Sequence, residues 1–281
     1  MKIVECPRDA MQGIEDFIPT NLKAKYINAL LKVGFDTIDF GSFVSPKAIP
    51  QMKDTAEVLR LLDLSNTKSN LLAIVANLRG VESTVQFEEI NHIGYPLSLS
   101  ETFQQRNTNR SIENAFADLS EIQNVLQTTR QGLVVYLSMG FGNPYGDPYE
   151  VDLVGSFVEK LEAIGVKTIS LSDTIGVAKE KLIFDLLSSL IPKFPHIEFG
   201  AHLHSRSEES YSKIESVYDA GCRRIDGALR GFGGCPMAKD DLTGNMTTEI
   251  ILEVLSNRNV NTKINQSNLD ESLIISREVF H

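Results

Sequence analysis

The chain has 281 residues, enough for one α/β barrel or two average domains, with 42% hydrophobic and 23% charged residues as expected of a large core. No run of about 18 apolar residues is present, which excludes a membrane-spanning helix, and the N-terminal "MKIVECPRDA" turns polar too early for a signal peptide. The formal charge of −10, from 37 acidic and 27 basic residues, disfavours nucleic acid and obliges any anionic substrate to be held by local cations, a Lys, an Arg or a metal. The cysteines Cys6, Cys222 and Cys235 are odd in number and widely spaced, which argues against a disulfide framework and for a reducing cytoplasm.

In chain order, short β-rich runs alternate with amphipathic ones. Strands are predicted at 2–6, 36–40, 70–77, 92–100, 132–139, 166–173, 196–204 and 222–229. "NLKAKYINALLKVG" (21–34) has apolar residues at spacings of three and four and Gly34 as a C-cap. A second helix, at 111–127, opens with a Ser111-x-x-Asn114 start; others are predicted at 149–165 and 205–221, each closed by glycine. Eight strand signals, each followed by a helix signal, give a (β/α)₈ barrel with a short C-terminal helical extension. A doubly wound sheet is the alternative, but the first turn, "CPRDAMQG", carries no G-x-G-x-x-G phosphate fingerprint. No linker, low-complexity tract or charge block interrupts the pattern, so residues 1–281 read as a single barrel domain.

In such a barrel the active site lies at the C-terminal ends of the strands. Those ends carry Arg8, Asp9 and Gln12 after the first strand, Asp39 and Ser42 at the second, and Ser170 and Asp173 at the sixth. The seventh ends in His202 and His204, and a glycine-rich loop after the eighth holds Cys235 and runs to Asn245. A strand sends residues i and i+2 to the same face, with roots roughly 6–7 Å apart, which suits two imidazoles on one metal ion. Strands seven, eight and one are neighbours once the barrel closes, so Asp9, His202, His204 and Asn245 can converge. One carboxylate, two imidazoles and one amide oxygen suit Mg²⁺ or Mn²⁺ better than a closed thiolate zinc site. Blander readings exist beside this one: Arg8-Asp9 as a surface pair, Asp39 and Asp173 as helix caps, Cys235 as an inert buried thiol.

Together these segments resemble 3-hydroxy-3-methylglutaryl-CoA lyases. "IVECPRDAMQ", "SFVSPKAIPQMKDTAEV", "ISLSDTIGV", "AHLH", "GFGGCPMAK" and "TGNMTTE" match in family order across roughly residues 2–257. "SFVSPK…PQM" and "GGCP" are specific to the lyases, whereas Asp9 and the His-x-His mark a wider superfamily of metal-dependent barrel lyases and synthases. The resemblance implies Asp9, His202, His204 and Asn245 as metal ligands and Arg8 as the cation that stabilises an enolate. It implies Cys235 as the thiol of a mobile loop, working as proton donor or relay, with Gly231, Gly233 and Gly234 giving that loop freedom. Gln12, Ser42, Ser170 and Asp173 match pocket-lining positions, and Asp39 stands where the family has a glutamate.

What the resemblance implies chemically is metal-assisted retro-Claisen cleavage of 3-hydroxy-3-methylglutaryl-CoA to acetyl-CoA and acetoacetate, with an acyl-CoA substrate and a homodimer. The hydroxyl proton goes to a base among Asp9, His202 and Asp173. The shorter Asp39, "RDAMQG", and Ser205-Arg206-Ser207 after the histidines depart from the usual family residues, so a related 3-hydroxyacyl-CoA is the alternative substrate. A condensing synthase of the same superfamily and a barrel without turnover are the remaining alternatives.

Overall fold

The computed structural model describes residues 1–234 and 243–280. Eight parallel strands close on themselves in sequence order. They are β1 (Lys2–Glu5), β2 (Thr37–Ser42), β3 (Asn70–Ile74), β4 (His92–Ser98), β5 (Gly132–Ser138), β6 (Thr168–Asp173), β7 (Glu198–Leu203) and β8 (Arg224–Gly227). β1 pairs with β8, Lys2 opposite Arg224 and Glu5 opposite Gly227, which completes the (β/α)₈ barrel.

The helices are α1 (Pro7–Gln12), α2 (Thr20–Leu30), α3 (Thr55–Arg60), α4 (Leu78–Thr84), α5 (Glu101–Thr108) and α6 (Ile112–Leu126). They continue with α7 (Val151–Ala163), α8 (Glu180–Lys193), α9 (Ser207–Asp219), α10 (Thr248–Asn257) and α11 (Gln266–Val279). α6 shows why these segments fold as they do. Its Ser111 side chain accepts from the Asn114 N–H, and Ala115, Leu119, Ile122 and Leu126 fall on one buried face. Each large member of that stripe contributes on the order of 2 kcal/mol by leaving water. After α2 the chain turns at Gly34, in the left-handed region with φ +99. α11 is the C-terminal extension. It packs on α2, with Phe280 edge-on to Tyr26 at 5.8 Å between ring centroids.

The main core lies between the strands' outer faces and the helices. Inside the barrel a small apolar group, Leu72, Ile74, Val134 and Tyr136, fills one side. Polar residues occupy the other, among them Cys6, Ser170, Arg224 and Asp226, all buried. No helix of the described residues is long and apolar enough to cross a membrane.

Candidate metal centre and active-site cavity

β1 ends at Glu5, and Pro7 starts α1 immediately, its missing N–H costing nothing at the first turn. A helix here, where the sequence pattern predicts only a turn, puts Arg8, Asp9 and Gln12 at spacings i, i+1 and i+4, so all three bond to one another. Arg8 Nη1 donates to Asp9 Oδ1 at 2.7 Å and to Gln12 Oε1 at 2.9 Å, and Gln12 Nε2 donates to Asp9 Oδ1 at 2.8 Å. From β2, Asp39 receives the other edge of the guanidinium: Nη2 at 2.5 Å, and Nε at 3.1 and 3.2 Å. Of the five N–H bonds an arginine carries, four are thus directed at protein acceptors, leaving one on Nη2 among the described residues. Burial opposes the Arg8 charge, but Asp39 and Asp9 outweigh it and keep the side chain protonated.

β7 presents His202 and His204 on the cavity side, ring centroids 5.3 Å apart. His202 Nδ1 lies 3.2 Å from Asp226 Oδ2 on β8, and His204 Nδ1 lies 3.0 Å from the Thr243 carbonyl. Both neighbours are acceptors, so each Nδ1 carries a hydrogen. Burial opposes a charge on His202, but Asp226 and then Asp9 outweigh it and raise that imidazole. The two Nε2 atoms lie 3.3 Å apart, a separation at which they share one proton or one cation. Burial, and secondarily His202, bring the His204 imidazole down to about 4, so it is neutral at pH 7.

Asp9 completes the group: its carboxylate and the two imidazoles offer ligand atoms all within 4.8 Å of one another. Burial works against ionisation of Asp9, yet Arg8 and the two histidines hold its carboxyl down at about 2. Asn245 arrives because residues 244–246 are clipped to the end of β7, Ser205 N donating to Gly244 O at 3.0 Å and Met246 N to Leu203 O at 3.1 Å. Its Nδ2 donates to Asp9 Oδ2 at 2.7 Å and to Phe232 O at 2.9 Å. Gly233, with φ +103, passes close by; a Cβ there would lie 2.5 Å from Asn245 Nδ2 and 2.9 Å from Asp9 O. The donor set fits a divalent cation: two imidazoles with converging Nε2 atoms, an ionised carboxylate and an amide, with the carboxylates of Asp39 and Asp226 nearby.

A cavity of about 440 Å³ opens above the cluster, bordered by Arg8, Asp9, Gln12, His202, His204 and Tyr136. Its far wall is α5 and its end, with Phe103, Arg106, Asn107 and Asn109. Nothing in the apolar pattern between 100 and 111 predicts that helix. Its signal is the reverse: a run rich in Gln, Asn and Arg whose Phe103 and Gln104 alone are buried, held by Ser100 as N-cap. The strand-end pattern does not single out Asp226 either. Its place two residues after Arg224 on a strand whose neighbour carries the histidines was the available clue.

Three expected residues do not border this cavity. Ser42 Oγ donates to the Ile74 carbonyl at 3.1 Å, and the cavity wall after β2 is made by Val44 and Ser45 instead. A register shift between Asp39 and Gly41 breaks the alternation that a regular strand would have kept. Ser170 does not border the cavity and is fully buried; Ser172, two residues on, borders it. Asp173 accepts the N–H of Val177 at 3.0 Å and of Ala178 at 2.8 Å, so it caps the turn before α8 and does not border the cavity. Burial raises its carboxyl. Cys235 lies outside the described residues.

The HMGL-like family model matches residues 2–273. The chain belongs to the HMGL-like family. It is 31% identical to the mitochondrial hydroxymethylglutaryl-CoA lyase of Mus musculus over 97% of this chain and 83% of that protein. A hydroxymethylglutaryl-CoA lyase of Bacillus subtilis is likewise 31% identical, over 92% of this chain and 85% of its own. Among solved structures, an HMG-CoA lyase from Acinetobacter baumannii in complex with coenzyme A and 3-methylmalate aligns with TM-score 0.91. It shares 29% identity, over 99% of this chain and 90% of that one.

Proposed function

We propose that the protein is a carbon–carbon lyase that cleaves 3-hydroxy-3-methylglutaryl-CoA to acetyl-CoA and acetoacetate. One observation carries the reading: a permanently charged Arg8, with an N–H to spare, borders the same cavity as the Asp9–His202–His204 cluster. The relatives at 31% identity, which include lyases of a bacterium and a mammal, give the substrate class. The solved relative holding coenzyme A and 3-methylmalate supports an acyl-CoA and a branched acid in such a cavity.

Asp9, His202, His204 and Asn245 would hold a Mg²⁺ or Mn²⁺ ion. When bound, such an ion supplies Lewis acidity that polarises a hydroxyl and a carboxylate oxygen. Arg8, braced by Asp39 and Gln12, directs its remaining Nη2–H at the thioester oxygen that gains negative charge as the carbon–carbon bond breaks. The brace matters because a fixed donor needs no reorganisation during the reaction. Asp39, one methylene shorter than the family's glutamate, still receives both edges of the contact. The base that takes the hydroxyl proton is drawn from groups bordering the cavity, Asp9 and His202. Asp173 does not border it, and its two oxygens already accept backbone N–H bonds. Tyr136 and Phe103 line the cavity with apolar surface that limits water around the enolate. We read Cys235 as the thiol that then delivers or relays a proton to carbon, and Arg106, Asn107 and Asn109 as contacts for the acyl-CoA. Residues 1–281 form one catalytic domain, a homodimer, in a reducing cytoplasm; the described thiols, Cys6 and Cys222, are free and buried.

The test is acetoacetate release from 3-hydroxy-3-methylglutaryl-CoA, abolished by chelator and restored by Mg²⁺ or Mn²⁺. A folded, cation-loaded protein that releases none overturns the reading. The same assay on a panel of 3-hydroxyacyl-CoAs identifies a related substrate, and incubation with acetyl-CoA and 2-oxo acids, read as free CoA, detects a condensing synthase.

A further inference from the structure

Beneath the metal cluster, the polar side of the barrel interior holds an arginine with no use in the chemistry above. Arg224 is 2% exposed, and its Nε and Nη2 have no hydrogen-bond partner among the described residues. Those two N–H groups form the side-on fork with which arginine ordinarily grips two acceptors. Three more buried atoms nearby lack partners: Asp226 Oδ1, Tyr136 OH and Ser170 Oγ.

The placement is specific. Arg224 and Asp226 are two apart on β8 and so face the same side. Tyr136 pairs with Ser170, and Ser170 with Gly200, across β5, β6 and β7. A Cβ at Gly200 would lie 3.0 Å from Arg224 Cδ and 3.2 Å from Ser170 Oγ, so glycine leaves the room through which the arginine stem passes. Burial disfavours the Arg224 charge; Asp226, then Tyr136, Glu198 and Asp36, sustain it.

The orphaned groups are complementary. The fork offers donors, Asp226 Oδ1 is an acceptor, and the two hydroxyls can be either. An unmade hydrogen bond on a buried group costs about 1–3 kcal/mol, more for a charge, and water is the usual remedy in a polar interior. Asp226 uses its other oxygen, Oδ2, on His202 Nδ1. We propose that Arg224 is a positioning residue for His202: through buried water shared with Tyr136 and Ser170, its guanidinium holds the Asp226 carboxylate that fixes the imidazole. This rests on the metal-centre reading above.

Arg224→Met keeps most of the stem and removes the fork. Mn²⁺ affinity, read by electron paramagnetic resonance, falls by about tenfold, the scale on which outer-shell partners act. The ¹⁵N signals of His202 move away from the Nδ1–H tautomer, while Arg224→Lys, which keeps the charge, restores part of both. Parental Mn²⁺ affinity and parental His202 signals in Arg224→Met overturn the proposal. A high-resolution structure of the parent tests it without any variant: water bonded to both the Arg224 fork and Asp226 Oδ1 supports it, and its lack there overturns it. A parent that binds no Mn²⁺ defeats the metal reading instead, and the ¹⁵N signals and the density still decide the role of Arg224.

Discussion

Arg8 directs four of its five N–H bonds at Asp9, Gln12 and Asp39, so its position is over-determined and its charge permanent. Lysine in its place keeps a charge but loses the fork that Asp39 grips. Arg8→Gln, which loses the charge as well, lowers kcat by about 10²–10³-fold with the fold intact by circular dichroism, the scale set by losing a fixed donor to an oxyanion. A variant as fast as the parent removes Arg8 from the chemistry. Glu5, three residues earlier at the end of β1, behaves differently. Buried against Thr248 Oγ1 at 2.6 Å and the Leu229 N–H at 2.8 Å, its carboxyl is pushed up by burial from 4.5 to about 8. Between those values the folded chain holds a proton that the unfolded chain releases. The stabilisation is therefore complete below pH 4.5 and is lost as pH rises to about 8. Its size is on the order of a few kcal/mol. Urea midpoints at pH 5 and pH 8 converge in Glu5→Gln relative to the parent; an unchanged difference refutes the assignment.

At the scale of elements, α2 is tied to the segment after β2 by a buried ion pair. Lys23 Nζ lies 2.7 Å from Asp54 Oδ1, bonds the Gln51 carbonyl, and is 2% exposed, while Thr20 Oγ1 donates to Asp54 Oδ2 at 2.8 Å. Asp54→Ala strands the ammonium and costs about 3–5 kcal/mol by denaturant unfolding, and Lys23→Met in addition recovers part of that loss. The Gly231–Gly234 run is tied to function rather than stability. Gly233→Ala forces a Cβ against Asn245 and Asp9 and strains a backbone at φ +103. Its Mn²⁺ affinity falls severalfold while the melting temperature stays within a few degrees of the parent; parental affinity removes the close approach from the metal site.

Over the whole molecule, closure of the barrel brings the ionised Asp9 carboxylate and the His202 and His204 imidazoles together, so a divalent cation binds the folded chain and not the unfolded one. A ligand bound to the folded chain alone stabilises it by about 2.7 kcal/mol at a hundred times its Kd. Mn²⁺ therefore raises the melting temperature by several degrees, and Asp9→Asn, with a weaker carboxylate set, loses that response. A melting temperature indifferent to Mn²⁺ in the parent rules the centre out.

Residue types and their periodicity were enough to read the barrel. All eight strands fall within the predicted runs, apart from the C-terminal end of β2, because period-2 and period-3.6 patterns report local structure directly. The same strand order, closed, is what makes Asp9, His202, His204 and Asn245 candidates for one point. Depth could not be read that way. Ser170 and Ser172 share a face, and only the closed barrel decides that the second borders the cavity while the first lies beneath it. The short helix α1, the register shift in β2 and the clipping of residues 244–246 onto β7 are likewise decided by packing. So is the meeting of Arg224 with Ser170 over Gly200: a strand's sequence states which way a side chain points, and only its neighbours across the barrel state what it meets.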